Sequence, residues 1–225
     1  KAADYMEESF RFLPLKDLPH LKDGLAPYYF DWLKHPRYDD YWKKLSIEEN
    51  HSRITVPAYQ IGGWYDIFLG GTIRNYLGMR EKGATKRARD GQKLLIGPWQ
   101  HSSRGTSISG EHYFGLASDS MAIDLDGIHL RWYDYWLKGI DNGIMGEPPV
   151  KIFVMGDKLW RDEKEWPFKR TQYTNYYFHS HGKANSLTGN GTLDTLPPAE
   201  EQPDVYVYNP IDPVPSKGGA LCCNP

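Results

Sequence analysis

Two short apolar runs, each closed by glycine, interrupt an otherwise mixed chain. The first, "RITVPAYQIGG" (Arg53 to Gly63), is dominated by β-branched and apolar residues; the second, "QKLLIGPW" (Gln92 to Trp99), is apolar from Leu94 and stopped by Gly97 and Pro98. Such runs predict buried strands of a parallel sheet, whose two covered faces remove the need for alternation. Between them Phe68, Leu69, Ile73, Tyr76 and Leu77 fall close to one helical stripe that fades near Gly83. Strand, helix and strand with short connections make a βαβ unit, so both strands run parallel and end at one edge of the sheet.

The flanking patterns differ. Before residue 53, apolar positions are broken by Pro14, Pro19, Pro27 and Pro36, which permits only short helices. After a glycine- and serine-rich loop, Met121, Leu125, Ile128, Trp132 and Trp136 predict a long amphipathic helix ended by Gly139. Beyond the turn-rich "DNGIMGEPP" (Asp141 to Pro149) the pattern changes to the candidate strands "VKIFVMG", "YTNYYFHS" and "DVYVYNP". A boundary is expected near residue 147, dividing a helical piece (1–52) and an α/β unit (53–146) from a β-rich unit (147–225). Neither unit has strands enough to be complete: two cannot make a doubly covered sheet, and three cannot close a sandwich. The chain is therefore expected to be the later part of a longer protein.

Composition narrows the partners. The 225 residues carry a formal net charge of −2 with both signs interspersed, so nothing marks a nucleic-acid or anionic-membrane surface. No apolar run reaches the roughly 18 residues of a bilayer span, and residues 1–30 lack a signal-peptide pattern, so the chain reads as soluble. The two cysteines, Cys222 and Cys223, are adjacent, which disfavours a disulfide between them and favours free thiols in the cytoplasm. Aromatics reach 14% and cluster, as pocket-lining residues often do.

The candidate chemistry lies at the shared strand edge. Asp66 comes just after the first strand and His101 just after the second, and ligands of open α/β sheets bind at that carboxyl edge. A carboxylate followed along the chain by a histidine, each on such a loop, is the order of the last two members of an α/β-hydrolase triad. The competing reading is structural, with Asp66 capping the helix near Ile67 and His101 simply ending a strand. Trp64 and Trp99 flank the pair in sequence, as walls of a site or as packing.

The stretches "VPAYQIGGWYDIFLGG" and "KLLIGPWQHS" resemble the bacterial cocaine esterase and X-Pro dipeptidyl-peptidase-like hydrolases, a group that also contains α-amino-acid ester hydrolases. The likeness continues through the "DDYW" segment, "VKIFVMGDKLWRDEKEWP" and "YNPIDPVPSKGG". It implies the C-terminal part of an α/β-hydrolase core (53–146) preceded by the end of a helical cap (1–52) and followed by an incomplete jelly-roll-like β-sandwich (147–225). It further implies that Asp66 is the triad acid, His101 the triad base and Phe68 a neighbour of the bound acyl group. The implied substrate is a small ester or amide, with no metal or organic cofactor, and an X-Pro dipeptidyl-peptidase as the alternative. One departure stands out: no G-x-S-x-G occurs, and "GTSISG" (Gly105 to Gly110) has Ser109 where the second glycine belongs and follows the histidine. The nucleophile is expected on a segment outside this chain, leaving the chain alone inactive.

Other motifs weigh less. "HSH" (His179 to His181) offers two imidazoles without further ligands nearby, and "DLDG" (Asp124 to Gly127) lacks the rest of a calcium loop, so no metal site is expected. The basic run "REKGATKRARDGQK" reads as a solvated helix end and loop. A reading from another class remains: a non-catalytic ligand-binding protein whose β-module uses the tyrosines of "TNYYF" and "VYVYNP". It would be favoured by Asp66 and His101 lying too far apart to hydrogen bond. Whether the parent is a homo-oligomer is left open.

Overall fold

The computed structural model describes residues 9, 11–22, 24, 26–101, 105–214 and 220; Cys222 and Cys223 lie outside them. Its centre is a four-stranded sheet in the order β1-β2-β5-β6, formed by Ala58–Gly63 (β1), Gln92–Gly97 (β2), Val150–Val154 (β5) and Leu159–Glu163 (β6). Strand β2 pairs in parallel with β1 (Ala58↔Gln92 to Gly63↔Gly97) and with β5 (Leu94↔Val150 to Ile96↔Ile152), while β6 returns antiparallel. All six residues of β2 are buried, as a central strand covered on both faces requires.

Alternation along β1 sends successive side chains to opposite faces. On one face Gly62 lets Thr72 of α4 (Leu69–Lys82) approach, with 3.2 Å between its methyl and the place a Cβ would occupy. On the other, Tyr59 and Ile61 pack into a cluster built on Leu95, Trp99 and Ile128, the last belonging to α6 (Leu125–Lys138). The Tyr59 ring meets Trp132 of α6 at 5.4 Å. The crossover helices thus cover the two faces, and burial in this aromatic layer pushes the Tyr59 hydroxyl well above the usual tyrosine range.

The helix α6 begins later than the apolar spacing predicts. Ser120–Ile123 form a 3-10 turn, Asp124 then adopts a left-handed conformation (φ 50°), and its side chain accepts from the Gly127 N–H at 3.2 Å. That cap starts the helix at Leu125 and leaves Met121 outside it and 88% exposed. The end is as expected: Gly139 (φ 70°) takes the left-handed position that stops the helix.

Before the sheet, short helices alternate with turns: α1 (Pro19–Lys22), α2 (Pro27–Lys34) and α3 (Asp40–Lys43), the last capped by Asp39 accepting from the Tyr41 N–H at 3.0 Å. The following 3-10 segment, Glu48–Arg53, is fastened to α4 by His51, whose Nε2 pairs with Asn75 Oδ1 at 3.0 Å, and by the Glu48–Arg74 ion pair. The basic run after α4 contains a further short helix, α5 (Lys86–Asp90), capped by Thr85.

The strand pattern after residue 147 begins with a strand of the main sheet. "VKIFV" does not open a separate β-unit; it is β5 of the main sheet, because Val150, Ile152 and Phe153, at 0%, 4% and 1% exposure, need cover on both faces. One compact unit therefore continues to Trp166, and a second spans Pro167–Pro215. In the second, Tyr177–His179 (β7) and Thr192–Asp194 (β8) form an antiparallel hairpin. "DVYVYNP" is not a strand: Val205 to Tyr208 are 72–92% exposed and pair with no neighbour in a sheet among the described residues. A jelly roll is not formed among the described residues. Within the loop after His101, Ile108–Ser109 (β3) and His112–Tyr113 (β4) make a small hairpin. No helix among the described residues is long and apolar enough to cross a membrane.

Candidate active site

The two strand-end loops are joined through their backbones. Trp64 N–H donates to Gly97 O at 2.8 Å and Tyr65 N–H to Trp99 O at 3.0 Å, which continues the β1–β2 ladder past the strands. The next residue on one side is Asp66 and, two beyond Trp99 on the other, His101. The parallel pairing therefore delivers both side chains to one place.

Asp66 is 8% exposed, and its two oxygens have different tasks. Oδ1 accepts from the Phe68 N–H at 2.8 Å, holding the turn into α4. Oδ2 lies 3.2 Å from His101 Nδ1. One carboxylate thus braces the turn into α4 through the Phe68 N–H, without a side-chain bond to the first helical residues, and pairs with His101 at once. With Asp66 as acceptor, Nδ1 carries the ring proton, and the lone pair of the neutral imidazole lies on Nε2. The ring is 38% exposed, and Nε2 has no hydrogen-bond partner among the described residues. A tautomer fixed by a buried carboxylate, with a free basic nitrogen at an accessible edge, is what a general base needs.

Phe68 stands beside this histidine, its ring edge-on at 4.8 Å and 54% exposed, and so offers an apolar surface next to the free nitrogen. Of the two tryptophans, Trp99 does not wall the site. Trp99 is fully buried: its N–H donates to Ser118 O at 2.8 Å and its ring packs on Trp160 at 5.7 Å, so it is core beneath the histidine loop. Trp64 donates to Phe153 O at 2.7 Å and faces Trp166 at 6.0 Å, tying the aspartate loop to β5. In "GTSISG" Ser107, at the serine position of the motif, is 9% exposed, and Ser109, in the place of the second glycine, is 1% exposed and donates its hydroxyl to Pro98 O at 2.6 Å. Of the "HSH" pair, His179 uses both ring nitrogens, on Glu201 at 2.7 Å and on Leu196 O at 3.0 Å; among the described residues no group of three or more His, Cys, Asp or Glu is placed to hold a metal ion.

Sequence reasoning missed the β3–β4 hairpin, since two-residue strands leave no periodicity to read. It lies against both loops, with Phe114 5.6 Å from the Tyr65 ring and Gly110 N–H 3.4 Å from Gln100 Oε1.

Residues 2–103 match the X-Pro dipeptidyl-peptidase (S15) family, and residues 142–220 match the X-Pro dipeptidyl-peptidase C-terminal non-catalytic domain. The cocaine esterase of Rhodococcus sp. (strain MB1 Bresler) is 36% identical over 209 residues, which cover 92% of this chain and 35% of that protein. Among solved structures, an aminopeptidase from a marine sediment Thaumarchaeota archaeon superposes with a TM-score of 0.62 at 23% identity, over 84% of this chain and 29% of that one. A CocE/NonD family hydrolase from Staphylococcus aureus does so with a TM-score of 0.50 at 16% identity, over 80% and 27%. The chain thus spans 35% of the length of the curated relative and less of the structural ones. The two family matches follow one another along the chain and, with the relative of 36% identity, make it similar to the cocaine esterase and X-Pro dipeptidyl-peptidase-like hydrolases.

Proposed function

We propose that the protein is a serine esterase of small-molecule substrates in which Asp66 and His101 are two members of a Ser-His-Asp triad. The observation that carries this reading is the 3.2 Å contact between Asp66 Oδ2 and His101 Nδ1 at the carboxyl edge of a parallel sheet. It also removes the support that a larger separation would have lent to a non-catalytic binding protein. The chain has no G-x-S-x-G, so the nucleophile is assigned to residues outside these 225.

In this reading His101 Nε2 takes the proton of the serine hydroxyl as its oxygen attacks the ester carbonyl carbon. Asp66 stabilises the imidazolium that forms. The imidazolium then protonates the leaving alkoxide, giving an alcohol and an acyl-enzyme. Water, deprotonated by the same nitrogen, attacks the acyl carbon and releases the acid and the serine. Phe68 lies beside the reacting nitrogen and is proposed to contact the acyl group. The stretch 167–215 is proposed to begin a β-domain completed by further strands, and the cytoplasm is the proposed location, on the adjacent Cys222 and Cys223.

An X-Pro dipeptidyl-peptidase is the second reading, favoured by the two family matches. Full-length protein assayed with aryl esters and with Gly-Pro anilides separates them: ester turnover without anilide cleavage supports the esterase, and the reverse supports the peptidase. The isolated 225-residue chain is expected to turn over neither substrate.

A further inference from the structure

The serine that replaces the second glycine of the false nucleophile motif has a task of its own. Ser109 lies on β3 and is almost completely buried, and its hydroxyl donates to the Pro98 carbonyl at 2.6 Å, three residues before His101. The next residue, Gly110, donates its N–H to Oε1 of Gln100 at 3.4 Å, and Gln100 is 2% exposed. Adjacent hairpin residues therefore grip the histidine loop on either side of Trp99. The same hairpin holds the other loop, because Phe114 and His112 pack on the ring of Tyr65, the neighbour of Asp66, at 5.6 and 6.4 Å.

We infer that Ser109 is a positioning residue for His101: the β3–β4 hairpin is a clamp that holds the imidazole against Asp66, and the Ser109 hydroxyl is its fastening. The physical reason is local. Trp64 and Tyr65 hold the Gly97 and Trp99 carbonyls from the aspartate side, and the Ser109 hydroxyl holds the Pro98 carbonyl between them from the hairpin side, so the path of the chain into His101 is fixed from two sides and Ser109 supplies the second. Removing the hydroxyl leaves that buried carbonyl unsatisfied and frees it to turn toward another donor, moving the loop. A catalytic group displaced by about 1 Å loses on the order of a hundredfold in rate. This inference rests on the proposed catalytic role of His101.

The test is made on the full-length protein. Ser109→Ala is compared with wild type in kcat and KM for an aryl ester, with kcat normalised to active sites titrated by an acylating ester so that unfolded molecules do not count. Histidine-selective 15N labelling follows the low-field Nδ1 proton of His101. A loss in kcat per titrated site of about tenfold to a hundredfold, with KM within about threefold and the Nδ1 resonance shifted or broadened, is the expected result. A kcat per site within twofold of wild type with an unmoved resonance overturns the inference, even if the variant melts earlier, because the hydroxyl would then contribute only stability. His101→Ala distinguishes the two levels of the argument. Full activity in that variant removes the catalytic reading itself, whereas an inactive His101→Ala beside a fully active Ser109→Ala removes only the clamp.

Discussion

Gly63 touches the backbone of Trp99: a Cβ at residue 63 would lie 2.7 Å from the Trp99 carbonyl carbon and closer still to its oxygen. The two loops that carry Asp66 and His101 meet at a point where no side chain fits. Gly63→Ala is therefore expected to push the loops apart and to destabilise the fold by about 1–3 kcal/mol, the cost of overpacking. Gly146→Ala, where nothing lies within 4 Å of the added Cβ, is expected to melt within a degree or two of wild type. Equal melting temperatures for the two variants would contradict the proposed contact.

Asp66→Asn tests the pairing with His101. The amide keeps the shape and one acceptor for the Phe68 N–H, but it no longer stabilises an imidazolium and permits the wrong tautomer. In the full-length protein kcat for an aryl ester is expected to fall by about four orders of magnitude. A loss below tenfold would show that the carboxylate serves α4 alone.

Lys93 is a buried lysine in the central strand, 2% exposed, and its ammonium donates to Glu147 O at 2.9 Å and Pro148 O at 3.2 Å. Burial holds its pKa below the usual lysine range. It pins the segment that leads into β5. Lys93→Met fills the same space but leaves the two carbonyls without this donor, and is expected to cost about 1–3 kcal/mol in denaturant unfolding. A variant as stable as wild type would mean that removing a desolvated charge offsets the lost bonds.

The His179–Glu201 pair ties β7 to a later loop and gives the second unit a pH dependence. The hydrogen bond to Glu201 raises the His179 pKa above 6.5, and the same bond lowers that of Glu201 below 4.5. The histidine contribution is fully present below pH 6.5 and is lost as pH rises through the raised value; the glutamate contribution is present above pH 4.5 and is lost as pH falls through the lowered one. Amide protection in β7, corrected for intrinsic exchange, is thus expected to be greatest between those limits and to lose this pH dependence in His179→Gln. A pH dependence unchanged in the variant would assign it to other groups.

The parts of the fold visible in sequence were those with strong local signals. Strand β1, helix α4 and strand β2 appear where the apolar runs and the Gly83 stop put them, and Gly139 ends α6. The start of α6 was misplaced because Met121 continues the apolar spacing by chance while the Asp124 cap sets the boundary. "DVYVYNP" has the composition of a strand but finds no partner among the described residues, and a strand without a ladder is not a strand. The tryptophans flanking the site residues are candidates for its walls on proximity along the chain; the partners of their indole N–H groups, Phe153 O of β5 and Ser118 O, lie 89 and 19 residues away.

The sequence by itself determined that a carboxylate and an imidazole emerge from the same edge of a parallel sheet, because local apolar runs dictate two strands and a crossover makes them parallel. It also determined that the motif of a serine nucleophile is absent from these residues. Only the tertiary structure decided that Asp66 braces the turn into α4 and binds His101 at once, that "VKIFV" joins the α/β sheet, and that Ser109 is buried beneath the histidine loop. Each of these rests on contacts between residues distant in the chain or on the direction a side chain takes, and no period or composition encodes either.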